Sequence, residues 1–168
     1  MATTPKQSPS ITPGPSLAAS LARALKDETA RHAVSVRLRV RGGAPAQSYS
    51  FDFAVWGDGT AECRFTCRLS GRHGETPRTT LAPKDLAGLL TKVQRALRLP
   101  VELPSFLPDT LVGILEVSEG ANVQRIYFAA DPEQAKTQGK VPPREVLDAV
   151  NAMYTLGAKL TGQRSVKP

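Results

Sequence analysis

Val34-Ser35-Val36-Arg37-Leu38-Arg39-Val40-Arg41 decides the reading of the fold. Apolar and polar residues alternate through it without a break. That is the period of a strand with one face in a core and the other in solvent. Gly42-Gly43 ends the run, and Ala44 to Gln47 reads as a loop. Tyr49 to Trp56 repeats the pattern, with Tyr49, Phe51, Phe53 and Val55 on one side. Gly57-Asp58-Gly59 then signals a hairpin, because glycine takes the positive φ that tight turns require. The return strand places Cys63, Phe65, Cys67 and Leu69 inward and Glu62, Arg64, Thr66 and Arg68 outward. Gly71 to Arg78 reads as a polar loop.

Upstream, residues 1–15 (MATTPKQSPSITPGP) hold four prolines and little apolar bulk. Such a segment cannot bury enough surface to offset the entropy of ordering, so it reads as a disordered tail. Ser16 can cap an amphipathic helix over residues 16–32, with Leu17, Leu21 and Leu25 in one stripe. The stripe either packs on the domain or docks on a partner; self-association through residues 17–25 is one form of the second case.

Downstream, Pro83 opens another helix, whose Leu86, Leu89, Leu90, Val93 and Leu97 face a core. Pro100, Pro104 and Pro108 stiffen the connector that follows. Leu111 to Ser118 and Asn122 to Ala130 make a second hairpin around Glu119-Gly120. Val112, Ile114, Leu115 and Val117 put apolar groups on both sides of its first strand, the pattern of a strand covered on both faces. Asp131-Pro132 starts a short turn. Pro142-Pro143 opens a last helix that Gly162 closes. Residues 163–168 read as loose. The expected architecture is α+β: an antiparallel sheet of about five strands with two or three helices on one face, in the order α-βββ-α-ββ-α. A single domain spans residues 33–162.

The formal charge is +7, and 14 of the 22 basic residues are arginine. Such a balance favours phosphates, anionic lipid or acidic proteins. Cys63 and Cys67 fall on one strand, about 13 Å apart at ~3.3 Å per residue. A disulfide needs Cα atoms within ~7 Å, so the two do not pair there. Neither they nor His32 and His73 form a ligand-spaced cluster, and no metal or cofactor is expected. No apolar leader and no membrane-length apolar run appears, which makes the cytoplasm the default location.

Catalytic signatures are missing as well. No phosphate loop, dinucleotide fingerprint or nucleophile elbow is present, and the acids are scattered. The sharper feature is arginine. Arg37, Arg39 and Arg41 project from one side of the first strand, and Arg64 and Arg68 from one side of the third. With the apolar sets in the core, all five share the solvent side, with Arg72 in the loop beyond. Guanidinium groups bind phosphate and carboxylate in bidentate fashion. The inward Phe51, Phe53 and Phe65 leave Trp56 as the one outward aromatic for base stacking. Alternatively the arginines are a solvated face paired with Asp52, Glu62 or Glu75. The loop from Gly42-Gly43 to Ser48 lies beside this face and is the second candidate.

From Arg41-Gly42-Gly43 onward the layout resembles the emfourin-type bacterial inhibitors of thermolysin-like metalloproteases. The residues that carry the likeness are that Arg-Gly-Gly at a strand end, the Leu-rich helix closing at Leu99-Pro100, Pro108-Asp109 before an apolar hairpin, and Val141-Pro142-Pro143 before the last helix. It covers residues 34–156 and implies a compact α+β fold without catalysis. This chain adds an N-terminal helix and a longer first hairpin, and no inhibitory residue transfers. The functional expectation is a non-enzymatic domain that binds a protein partner. The alternatives are phosphate-led nucleic-acid binding through the same arginines and an unrecognised enzyme.

Overall fold

The alternation at residues 34–41 becomes strand β1 (Val34–Gly42), with Val34, Val36, Leu38 and Val40 buried. The computed structural model describes residues 16–44, 48–100 and 104–168. Strands β2 (Tyr49–Trp56), β3 (Thr60–Cys67) and β4 (Arg72–Thr80) follow β1 as a meander. A helical crossover then delivers β5 (Val112–Glu119) to the other flank of β1, and β6 (Asn122–Ala129) returns beside it. The sheet order is β4-β3-β2-β1-β5-β6, and every neighbouring pair is antiparallel.

The helices are α1 (Leu17–Ala24), α2 (Glu28–His32), α3 (Pro83–Leu97), α4 (Pro132–Thr137) and α5 (Arg144–Thr161). Helix α3 packs on α5 and on α1, and α5 reaches β3 and β4. This layer covers the apolar side of the sheet. Phe51 and Phe53 lie parallel at 6.3 Å, and Tyr154 of α5 tilts onto Phe51 at 4.9 Å. Gly157 permits that approach. A Cβ there would stand 3.0 Å from the Phe51 ring and 3.1 Å from Cys63 Sγ.

The α+β class and the antiparallel sheet agree with the sequence reading, but the described sheet has six strands where about five were expected. The segment read as a polar loop is β4. Its inward positions, Gly74 and Thr76, are opposite Phe65 and Cys63 and carry little apolar bulk, so no alternation marks them. It is an edge strand held by β3 alone, and an edge tolerates Pro77.

The expected helix over 16–32 breaks in two, because the Asp27 side chain accepts from Thr29 N and caps a new helix. Leu17, Leu21 and Ala24 are buried inside the domain, so the stripe proposed for self-association is already covered. Leu69, expected inward, lies beyond β3 and is 72% exposed. Strand β5 is covered on one side only, and Ile114 is half-buried on the other. The C-terminal residues, expected to be loose, are tied down. Tyr49 donates its hydroxyl proton to the Val166 carbonyl, Arg72 Nη1 donates to the Ser165 carbonyl at 2.9 Å, and Val166 is fully buried.

Candidate functional site: the open face of the sheet

With the helices on one side, the polar positions of the strands form a broad face that no described helix covers. Antiparallel register lines them into cross-strand rows, and residues directly opposite share a face. One row takes a residue from every strand: Glu75, Arg64, Asp52, Arg39, Ile114 and Tyr127. The next holds Glu62, Ala54, Arg37, Glu116 and Arg125. Acids and arginines therefore sit opposite or diagonal to one another across the strands.

The geometry follows from that placement. Arg37 binds Asp52 diagonally with two parallel bonds, Nε at 2.8 Å and Nη2 at 2.6 Å. Arg64 donates to Glu75 at 2.5 Å. Glu116 Oε2 accepts from Arg39 Nη2 at 3.1 Å and from Arg125 Nε at 2.6 Å. Arg39 Nε is buried and has no partner among the described residues. The bond to Asp52 raises the pKa of Arg37 above the usual guanidinium value, as Glu75 does for Arg64 and Glu116 for Arg125. These cations stay charged at any working pH.

Trp56 is half-buried on the same face, and it carries the Arg78 guanidinium at 4.1 Å above its ring. Arg78 is fixed there by a 2.9 Å bond from Nε to Thr60 Oγ1. Arg41 is exposed opposite Ser50 and Val112. Arg68 is the first residue past β3, with its amide on the Ser48 carbonyl at 3.0 Å. Arg72 departs from the expected cluster. It stands opposite Cys67, an inward position, and its side chain holds the C-terminal segment and Ser70.

Gly42 has a packing reason to be glycine. Its φ is 137°, and a Cβ would sit 2.5 Å from the Thr110 carbonyl oxygen. Gly43 also has a positive φ, 86°. Residues 45–47 of the loop proposed as a second contact lie outside the described residues.

Sequence reasoning missed the β5–β6 half of the face: Ile114, Glu116, Arg125 and Tyr127. The signal was present in Val112 and Ile114, whose apolar side chains break the alternation on the solvent side. That pattern predicts cover on both faces, whereas β5 is buried on alternate positions only. The register also separates two kinds of cation. The six described strands carry seven arginines and no lysine, whereas all seven lysines among the described residues lie outside them. A coding bias toward arginine acts along the whole chain and does not produce that division.

The face holds a small polar depression of about 190 Å³ lined by Arg37, Asp52, Glu62, Arg64 and Glu75, among others. Its arginines are already paired. Cys63 and Cys67 are both free thiols; burial pushes Cys63 up to about 12, and the Ser70 hydrogen bond draws Cys67 below its usual value. Among the described residues no group of three His, Cys, Asp or Glu is placed to hold a metal ion. No described helix is long and apolar enough to cross a membrane. Compared with family models and with curated proteins, the chain matches none.

Proposed function

We propose that this chain is a non-catalytic binding domain that engages a protein through the open face of its sheet. The observation that carries the reading is the composition of that face: arginines held by acids, with Trp56, Tyr127 and Ile114 set among them and no lysine. Protein interfaces are enriched in Trp, Tyr and Arg and depleted in Lys. Guanidinium groups preorganised by Asp52 and Glu116 present fixed donors at little entropic cost. The same pairing weakens the nucleic-acid alternative. Phosphate-led binding needs uncommitted cations, and single-strand binding needs a bare aromatic platform. Here Arg37, Arg39, Arg64 and Arg125 are engaged by carboxylates, and Trp56 is capped by Arg78. For the enzyme alternative the open face offers only the small depression, whose Arg37 and Asp52, and Arg64 and Glu75, are already paired with each other. Likeness to emfourin-type inhibitors would make the partner a protease, and none of the face residues is transferred from that family.

The test uses the intact chain as bait, beside an Ile114→Asp, Arg39→Glu variant with unchanged circular dichroism. The reading expects a stoichiometric protein partner that the variant loses. A DNA or RNA shift at low salt that collapses as salt rises, with no protein retained, would overturn it in favour of nucleic acid.

A further inference from the structure

A second surface lies on the helix side of the molecule, on the outer face of α3. Leu86, Leu89, Leu90 and Val93 of this helix turn into the core. Lys84, Ala87, Gly88, Lys92, Arg95 and the C-cap Arg98 are left exposed. Lys84, Gly88, Lys92 and Arg95 fall at i, i+4, i+8 and i+11, which places them on one stripe, and Arg98 continues it. From Lys84 to Arg98 the stripe runs ~21 Å at about 1.5 Å per residue. It carries no acid. The acid of α3, Asp85, stands at its margin and is taken by Lys159 of α5 at 2.8 Å. At the opposite margin Gln94 donates to the Ala18 carbonyl of α1 at 3.3 Å. Among the described residues none of Lys84, Lys92, Arg95 and Arg98 is in an ion pair. The open face is the reverse case, since its Arg37, Arg39, Arg64 and Arg125 are held by carboxylates. In a chain of net charge +7, cations left without acids on one helix face attract a polyanion.

Gly88 lies in the middle of the stripe. Glycine weakens a helix interior relative to alanine. No packing compels it here, because a Cβ at Gly88 would meet nothing within 4 Å. Ala87 beside it is nearly as small, and Thr91 turns its hydroxyl back onto the Ala87 carbonyl at 2.9 Å. A rigid surface can therefore approach the helix backbone closely while Lys84 and Lys92 reach it from either side. These features select among polyanions. Helices on anionic bilayers bind through buried apolar area as well as charge. The large apolar residues exposed among those described, Leu69, Leu107, Val123 and Val141, all lie off α3. Single strands stack their bases on aromatic rings, and α3 carries none. A duplex keeps its bases stacked and presents a stiff line of phosphates.

We infer that the outer face of α3 docks the phosphate backbone of double-stranded nucleic acid through Lys84, Lys92, Arg95 and Arg98, without reading bases. The inference goes beyond the protein-binding reading and uses none of the open-face residues. Four phosphate contacts give a slope of about −3.6 in log affinity against log salt, a loss of about 150-fold from about 50 to about 200 mM. The test is fluorescence anisotropy of a short labelled mixed-sequence DNA duplex titrated with the full chain. A Lys84→Ala, Lys92→Ala, Arg95→Ala variant with unchanged circular dichroism should cut the slope to about −0.9 and lose most of the low-salt affinity. Gly88→Leu removes no charge and should weaken binding by holding the duplex off the helix. The Ile114→Asp, Arg39→Glu variant should bind the duplex as wild type does, so the two surfaces fail independently. No binding at about 50 mM salt, or a wild-type slope in the triple variant, would overturn the inference. Undiminished binding by Gly88→Leu would overturn it too, because the duplex would then lie elsewhere. Binding to phosphatidylserine vesicles but not to the duplex would give the stripe to a membrane surface instead.

Discussion

The two faces of one sheet are built from the same strands and obey different physics. On the helix side, Phe51, Phe53, Phe65, Leu38 and Leu115 are excluded from water and close-packed. Each fully buried side chain there contributes about 1.5–3 kcal/mol, and deletion leaves a cavity that adds to the loss. On the open side the contacts are ion pairs between half-exposed groups. The side chains of Arg37 and Asp52 are 44% and 21% exposed. Exposed pairs of this kind contribute little to stability. The difference teaches that the open face is not needed to hold the fold together. The proposed binding surface would therefore rest on fixed donors that contribute little to stability.

The sharpest test of that contrast is Phe53→Ala, expected to cost about 3–5 kcal/mol in chemical denaturation. Any single truncation on the open face that cost as much would break the comparison. Gly42→Ala comes next, at roughly 1–3 kcal/mol, because the new Cβ meets the Thr110 carbonyl in a backbone conformation that only glycine adopts freely. Its effect is on stability, and partner affinity per folded molecule should not change. A double-mutant cycle on Arg37→Ala and Asp52→Ala should return a coupling of about 0.2–1 kcal/mol that shrinks with salt. A salt-independent coupling above that range would show the pair to be structural.

The smallest effect is expected at the Asp58 turn. Hydrogen bonds from Thr60 lower the pKa of its carboxyl, and the Asp58 side chain is 46% exposed. A depressed folded pKa means the contribution is present above the unfolded value, about 3.9, and is lost as pH falls through the folded one. Asp58→Asn should therefore lower stability slightly at neutral pH, flatten the acid limb of the stability curve, and leave stability below the folded pKa nearly unchanged.

Much of this was legible along the chain. Period-two alternation marked β1, β2 and β3, a proline start with a leucine stripe marked α3, and Pro142-Pro143 with Gly162 marked the ends of α5, because burial on one face and helix ends leave signals that local reading detects. Strand β4 was not legible, since an edge strand with Gly74 and Thr76 inward has no apolar repeat to show. The break at Asp27 was hidden because a capping aspartate looks like any helix-surface acid until its side chain turns to Thr29. Half of the candidate face was legible. Arg37, Arg39 and Arg64 were placed by alternation, whereas Arg72 was lost when β4 added a register position that turned it toward Ser165. Ile114, Tyr127, Glu116 and Arg125 were missed because nothing local joins residues 112–127 to residues 37–39.

The sequence by itself determined which side of each well-patterned strand is wet, and that arginine rather than lysine stands on it. Alternation and composition are local properties and survive without a fold. Only the tertiary structure decided that β5 lies beside β1, that Asp52 and Glu116 hold the arginines, and that Trp56 carries Arg78. Those depend on register between strands far apart in the chain. Hydrogen bonding and burial choose that register together, and no stretch of residues encodes it alone.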